Sequence, residues 1–169
     1  MTMKRIIVAG LSATGLLVAT ILASAAAEYG PGASDTEIKI GNTMPYSGPA
    51  SAYGIIGKTE AAYFTMINEQ GGINGRKINF ISHDDGYSPP KIVELVRKMV
   101  EEDQVLFVFS TLGTPTNTAI HRYLNDNKVP QLFVATGADQ WNDPEHFPWT
   151  MGLIPSYGTE AHIYARYIL

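Results

Sequence analysis

The sequence predicts an α/β fold built on a doubly wound parallel sheet. Apolar segments of strand length alternate along the chain with segments of helical periodicity, and short turn-rich loops connect them. The segment in the middle of this series, residues 105–109, is apolar throughout, as expected of a central parallel strand covered on both faces. Strands and helices that alternate in this way form parallel sheets with right-handed crossovers.

The first strand is expected at residues 38–40, where Ile, Lys and Ile alternate. A turn-rich loop over residues 45–49 separates this strand from a helix over about residues 53–68. Gly71 and Gly72 end the helix, because glycine readily adopts the left-handed conformation found at helix C-termini.

The second strand is expected at residues 77–81, which alternate in the same way. Ser88 then offers a capping hydroxyl, and Pro89 offers a fixed φ that suits the first helical position. The helix that follows is amphipathic, because four apolar residues recur at the spacing of one helix face: Ile92, Leu95, Val96 and Met99.

A third helix and two more strands follow the central strand. The helix begins at Thr114 and Pro115 and extends to about Asn127. Residues 131–134 form the fourth strand and residues 149–154 the fifth. Ligands in such sheets bind beyond the carboxyl ends of the strands. The loops expected to carry a site are therefore 45–53, 83–88, 110–116 and 135–140.

The composition is that of a globular protein with one domain. The chain has 169 residues, of which 45% are hydrophobic and 17% charged, with no cysteine and a formal charge of −4. These values exclude a disordered, collagen-like or disulfide-rich protein. The acidic balance argues against nucleic acid as a partner, because it offers no basic surface for a phosphate backbone.

The N-terminus shows the three regions of a secretory signal peptide, predicted over residues 1–27. Lys4 and Arg5 precede an apolar run over residues 6–23, and three alanines at 25–27 fit a cleavage site. Cleavage is expected after the last of these alanines, with the first as second choice. A membrane anchor is the alternative. Without a cysteine for lipid attachment, we expect a soluble periplasmic protein with no stable membrane anchor after cleavage.

The sequence contains none of the common catalytic or cofactor-binding motifs. It lacks G-x-S-x-G, G-x-x-x-x-G-K-[ST], G-x-G-x-x-G and H-E-x-x-H, and its four histidines have no metal-ligand spacing. We therefore expect no enzyme, no cofactor and no metal. A small secreted enzyme or magnesium site at His83, Asp84 and Asp85 is the alternative, although adjacent carboxylates at a strand end commonly cap the next helix.

Small polar residues dominate two of the candidate loops. Residues 110–115 join the central strand to a helix start, where free N–H groups and the helix dipole can hold a carboxylate. Residues 135–138 repeat this composition one strand later, and Gly113 and Gly137 would let a ligand approach the main chain closely. The pattern predicts a site for a small anion or an amino-acid-like ligand. Aromatic residues that could wall it are Tyr46, Tyr53 and Tyr157.

Three motifs resemble those of the periplasmic substrate-binding proteins of branched-chain amino acid ABC transporters: GNTMPYSG (41–48), NEQGGINGR (68–76) and HDDGYSP (83–89). The resemblance extends from about Asp35 to Leu169. It implies the type I periplasmic-binding fold, in which two α/β lobes close over a solute of the Leu/Ile/Val type and deliver it to a membrane permease. The resemblance implies that Tyr53 and the two loops at 111–114 and 135–137 bind the ligand, and Tyr157 is added as an aromatic wall residue. The expected ligand-binding residues are therefore Tyr53, Thr111, Leu112, Gly113, Thr114, Ala135, Thr136, Gly137 and Tyr157.

The chain departs from this family at three positions of the site. Gly113 and Gly137 stand where leucine-binding relatives carry a hydroxyl residue, and Leu112 stands at one position of a cysteine pair found in some relatives. Two side-chain oxygens are thereby lost from the clamp for an α-amino acid. The sequence therefore leaves four classes of ligand open: branched-chain amino acids, amides, urea-like solutes and aromatic acids.

The length also departs from the family, whose chain crosses to a second lobe near Gly152 and later returns to complete the first. We assign residues 28–152 to an N-terminal lobe and residues 153–169 to the hinge exit and first helix of a truncated second lobe. A lone chain is then expected to bind weakly or not at all. The alternative is a remnant that binds no solute and needs another chain to complete the fold.

Overall fold

The computed structural model describes residues 29–169, so the signal peptide predicted over residues 1–27 lies outside the described residues. No helix within 29–169 is long and apolar enough to cross a membrane. Strands and helices alternate in the order β1 (Glu37–Met44), α1 (Gly54–Glu69), β2 (Lys77–Asp84), α2 (Pro89–Glu101), β3 (Phe107–Phe109), α3 (Thr114–Asp126), β4 (Gln131–Val134), β5 (Thr150–Gly152) and α4 (Tyr157–Ile168).

The five strands form one parallel sheet in the order β2-β1-β3-β4-β5. β1 pairs with β2 along its whole length, from Glu37 opposite Lys77 to Met44 opposite Asp84. The predicted α/β fold and the central position of β3 are both confirmed. Because all strands are parallel, their carboxyl ends and the loops that follow them lie along one edge of the sheet.

The main hydrophobic core lies between the sheet and the helix pair α2 and α3. Ile92, Val96 and Met99 project from one face of α2 and are fully buried, as their helical spacing predicts. A fully buried aliphatic side chain contributes about 1.5–3 kcal/mol relative to an exposed one, so each of these residues stabilises the fold. The other members of this core are Val105, Val108, Ile120 and Leu124.

The opposite face of the sheet carries a row of phenylalanines that α1 covers in part. Phe64 of α1 packs against Phe80 and Phe109, with ring centroids 5.1 and 5.9 Å apart. The prediction that the central strand is covered on both faces is confirmed for one face and only in part for the other. Val108 is fully buried against α2 and α3, but Phe107 and Phe109 are half-buried, because α1 lies mainly over β1 and β2 and reaches β3 through Phe64.

Within residues 29–169, the hydroxyl of Ser88 does not form the predicted capping hydrogen bond at the start of α2. Ser88 does occupy the N-cap position of α2, and Pro89 is the first helical residue. The backbone N–H of Ser88 donates instead to the Asp85 carbonyl at 3.0 Å. Residues 89 and 90 are both proline and have no N–H, so the first turn of α2 has two free donors fewer to satisfy.

β4 contains an irregularity that its apolar sequence does not reveal. Phe133 has a φ of 56°, and the pairing of β4 with β5 shifts register between Gln131 and Val134. A positive φ within a strand is typical of a β-bulge, which turns the following residues out of the regular pleat. The regular pairing of β4 with β5 is therefore interrupted just before the loop that follows β4.

Candidate ligand-binding site

A cavity of about 600 Å³ opens at the carboxyl edge of the sheet. Segments that follow β1, β2, β3 and β4 all contribute to it, as expected for a ligand site in a doubly wound sheet. Most of its walls are apolar or aromatic, and threonine and tyrosine residues add hydroxyl groups. The residues that line it are Pro49, Ala50, Tyr53, Tyr87, Leu112, Gly113, Thr114, Ala135, Thr136, Ile154 and Tyr157.

Three hydroxyl groups form a continuous chain along one side of the cavity. Oγ1 of Thr114 lies 2.6 Å from Oγ1 of Thr136, which lies 3.1 Å from the hydroxyl of Tyr157. Thr114 is also the first residue of α3, where its N–H has no helical acceptor and the helix dipole favours an anion; the next residue, Pro115, has no N–H. Hydroxyl and backbone donors therefore converge on a position that can hold a carboxylate.

Two glycines support two of the tyrosine rings. A Cβ at Gly113, which has a φ of 98°, would overlap the ring of Tyr87. A Cβ at Gly137 would lie 2.7 Å from ring carbons of Tyr157. The absence of a side chain at these two glycines thus makes room for the tyrosine rings, while the approach of a ligand to the main chain at Gly113 and Gly137 stays a prediction.

Asn117 holds the loop between β3 and α3 in place. Its side-chain amide donates to the carbonyl oxygens of Thr111 and Gly113 at 2.9 and 2.8 Å. Its side-chain oxygen accepts from the Thr111 hydroxyl and, at 2.8 Å, from the amide of Gln131. Asn117 and Gln131 are both fully buried, so a buried network of polar side chains holds the loop in place.

The carboxylates of the alternative enzyme site have structural partners. Asp84 accepts hydrogen bonds from the N–H groups of Ser47 and Gly86 at 3.1 and 3.0 Å, and lies 3.6 Å from Nζ of Lys91. The hydrogen bond from the Ser47 hydroxyl is the largest cause that lowers the pKa of Asp84 to about 2. Asp84 is therefore the carboxylate that joins the loops after β1 and β2.

Asp85 is fully buried, and this burial raises the pKa of its carboxyl group. It accepts a hydrogen bond at 2.7 Å from the N–H of Tyr87, whose φ is 62°. The carboxylate thus stabilises a left-handed backbone that a tyrosine rarely adopts. Across residues 29–169, no three His, Asp or Glu side chains are grouped so that they could hold a metal ion.

The model of one protein family, described as periplasmic binding protein, matches residues 37–169. The chain belongs to the periplasmic binding protein family. This membership confirms the resemblance carried by the three sequence motifs, and it confirms that the chain is not an enzyme. It also implies a location outside the cytoplasm.

Individual family members show how far the similarity extends. A leucine-, isoleucine-, valine-, threonine-, and alanine-binding protein of Pseudomonas aeruginosa is 30% identical over 54% of this chain and 24% of its own length. Leu/Ile/Val-binding protein homolog 1 of Brucella abortus is 28% identical over 79% of this chain and 36% of its own length. The chain therefore spans only about a quarter to a third of the curated relatives that it matches.

A solved structure shows the same fold. The crystal structure of a possible leucine/isoleucine/valine-binding protein from Rhodopirellula baltica superimposes with a TM-score of 0.62 at 26% identity, over 67% of this chain and 31% of the other. The five-stranded parallel sheet of this chain thus corresponds to one part of a larger periplasmic binding protein.

The structure brings together seven of the nine predicted site residues around the cavity: Tyr53, Leu112, Gly113, Thr114, Ala135, Thr136 and Tyr157. Thr111 and Gly137 lie behind the lining. The Thr111 hydroxyl is turned toward Asn117, and Gly137 accepts a hydrogen bond at 2.7 Å from the N–H of Tyr157.

Tyr46 also lies away from the cavity, because its hydroxyl lies 2.6 Å from that of Ser82 on β2. Four lining residues are not predicted from the sequence: Pro49, Ala50, Tyr87 and Ile154. The first three lie within loops 45–53 and 83–88, so loop position alone indicates the region but not the side chains.

Proposed function

We propose that this chain supplies one lobe of the extracytoplasmic solute-binding component of an ABC uptake transporter. Its ligands are branched-chain amino acids or related small carboxylates and amides, and its partner is the membrane permease. The observation that carries the proposal is the hydroxyl-lined cavity at the carboxyl edge of the sheet in a chain of the periplasmic binding protein family. The names of the Pseudomonas and Brucella relatives support the choice of amino acids.

The polar side of the cavity suits the acidic group of such a solute. The hydroxyls of Thr114 and Thr136, with the N–H of Thr114, supply neutral donors for a carboxylate oxygen or an amide carbonyl. Leu112 and Ile154 on the apolar walls receive the hydrocarbon part. Binding in this way orients the solute with its polar end toward α3.

The division into an N-terminal lobe (28–152) and the start of a second lobe (153–169) is part of the proposal. α4 supports it, because this helix has no buried residue although it carries Ile163, Tyr164 and Tyr167. An amphipathic helix with its apolar side chains exposed is typical of a surface that another part of a protein covers. The same exposure supports the second candidate, a chain that binds solute only when another chain completes the cleft.

Thermal unfolding of the full chain with millimolar leucine, propionamide or benzoate tests the proposal. A ligand that binds only the folded state raises the midpoint temperature of unfolding. At a ligand concentration a hundred times the dissociation constant, the free energy of unfolding rises by about 2.7 kcal/mol. A shift with any of these solutes supports binding by this lobe. A cooperative transition that none of them shifts contradicts it and favours the second candidate.

A further inference from the structure

Strand β2 forms one edge of the five-stranded sheet. It pairs with β1 along all eight of its residues and, within residues 29–169, has no strand on its other side. A long exposed edge offers unpaired N–H and C=O groups to any strand that meets it. β5, at the opposite edge, has only three residues. β2 is therefore the edge at which this fold is most open to pairing with another chain.

The backbone groups that point away from β1 belong to every second residue of β2. The Lys77 N–H donates to the Thr36 carbonyl at 2.7 Å, on the side of β1. Since the backbone groups of successive strand residues point in alternate directions, the odd-numbered residues of β2 pair with β1 and the even-numbered ones face outward. The outward groups of this edge are those of Ile78, Phe80 and Ser82.

Asn68, in the last turn of α1, covers the first of these outward groups. Its side-chain oxygen accepts from the Ile78 N–H at 2.7 Å, and its side-chain nitrogen donates to the Ile78 carbonyl at 2.7 Å. A neighbouring strand would exchange the same two hydrogen bonds, so the amide takes the place of a partner strand. The backbone carbonyl of Asn68 also accepts from Nζ of Lys77. The amino-terminal part of the β2 edge is thereby closed.

The edge of β2 is complementary to the same edge of a second copy of this chain. In an antiparallel arrangement centred on Phe80, Ile78 of one copy lies opposite Ser82 of the other, and each opposed pair exchanges two hydrogen bonds. This arrangement brings the end that carries Lys77 to the end that carries Asp84, so opposite charges meet at both ends. The pairing has two-fold symmetry, which is the commonest symmetry of homodimers.

We propose that Asn68 is the residue that prevents two copies of this chain from joining through their β2 edges. Its two hydrogen bonds have to break before Ile78 can pair with a second copy. While they are in place, the open edge is limited to Phe80 and Ser82, which is shorter than the usual strand of about five or six residues. The inference concerns an interaction surface of the lobe and does not depend on which solute the protein binds.

Cross-linking at the β2 edge tests this proposal, because the chain has no cysteine of its own. Asn79→Cys places one thiol at an exposed position of β2, and a short thiol-reactive cross-linker then joins two copies that pair along this edge. When Asn68→Ala is added to Asn79→Cys in the full chain, we expect the yield of covalent dimer at low protein concentration to rise at least about tenfold. The reason is that two hydrogen bonds no longer compete with the pairing.

Asn125→Ala is the matched control for Asn68→Ala. The Asn125 side chain also joins separate segments through both of its polar atoms, since it donates to the Thr150 hydroxyl at 2.7 Å and accepts from the Trp149 N–H at 3.0 Å. These partners lie at β5, so the variant is expected to lose stability without raising the dimer yield. Urea unfolding of each variant checks that it is folded under the conditions of cross-linking.

Ile78→Pro, added to Asn68→Ala, tests whether the edge itself pairs. Proline has no N–H and is tolerated at an edge strand, so the dimer yield is expected to return to that of Asn79→Cys alone. Asn68→Ser, whose hydroxyl is too short to bond both groups of Ile78, is expected to give the same rise as Asn68→Ala and replaces it if that variant unfolds.

A rise in dimer yield that follows the loss of Asn68, is absent in Asn125→Ala and is reversed by Ile78→Pro supports the proposal. An unchanged yield in the folded Asn68 variants overturns it. An equal rise in Asn125→Ala also overturns it, because general loosening of the fold would then cause the association. The proposed function stands in either case, since neither result concerns solute binding.

Discussion

The hydroxyl of Thr114 lies 2.6 Å from that of Thr136, and this contact joins the first turn of α3 to the loop after β4. Two segments 22 residues apart in the chain thereby meet at the polar side of the cavity. The register shift in β4 lies just before this loop, between Gln131 and Val134.

Thr136→Val removes the hydroxyl that links Thr114 to Tyr157 while keeping the shape of the side chain. We expect the affinity for a carboxylate solute to fall about tenfold and stability to fall by about 1 kcal/mol, the net value of one hydrogen bond. Calorimetric titration and urea unfolding measure the two effects. Thr65→Val is the control, because Thr65 is an exposed threonine on α1 whose hydroxyl bonds the Ala61 carbonyl. An unchanged dissociation constant would contradict the role assigned to Thr136.

Asn117→Ala removes the side chain that anchors the loop between β3 and α3. It leaves the buried amide of Gln131 and the buried hydroxyl of Thr111 without their partners. Each unsatisfied buried group costs about 1–3 kcal/mol, so we expect a loss on the order of 3 kcal/mol in urea unfolding. Asn127→Ala, an exposed asparagine near the end of the same helix, is expected to cost less than about 0.5 kcal/mol. Equal losses in the two variants would show that the network does not hold the loop.

The sequence predicts the main elements because their signals are local. The spacing of Ile92, Val96 and Met99 defines the buried face of α2, and Pro89 marks its start. Loop 110–116 is identified as a site because it follows the central strand, and this reasoning depends only on the order of elements.

The side chains of the site are harder to predict because their positions depend on contacts between distant segments. Tyr87 enters the cavity only because Asp85 stabilises its left-handed backbone and Gly113 leaves room for its ring. Neither condition produces a periodic pattern. The partial burial of Phe107 and Phe109 has the same origin, since an apolar strand has the same sequence whether helices cover its second face fully or in part.

Leu124→Ala tests the core between the sheet and the helix pair. Leu124 is fully buried among Ile120, Val108 and the apolar face of α2. Truncation of such a residue costs about 2–5 kcal/mol through lost transfer energy and the cavity that remains. Ile163→Ala on α4, where the side chain is 57% exposed, is expected to cost less than about 0.5 kcal/mol. The urea midpoint of each variant, compared with that of the wild type, measures its loss of stability. Similar midpoints for the two variants would place the core elsewhere.

His121 predicts how stability changes with pH. Its ring is buried, stacks on Phe147 with centroids 4.0 Å apart and lies edge-on to Trp141 at 5.0 Å. Burial lowers the pKa of His121 below 6.5, and the nearby charge of Asp143 offsets part of that effect. Between these two pKa values the unfolded chain binds a proton that the folded chain does not, so stability falls as pH drops from 6.5 to the folded pKa.

His121→Phe keeps an aromatic ring at this position and removes the titrating group. We expect the wild type to lose stability relative to this variant between pH 7.5 and pH 5, with a slope of at most about 1.4 kcal/mol per pH unit for one proton. Urea unfolding of both proteins at several pH values gives the difference. Other groups, including the buried Asp85, are common to both proteins and cancel in the comparison. A stability difference that stays constant with pH would mean that His121 titrates alike in the folded and unfolded states.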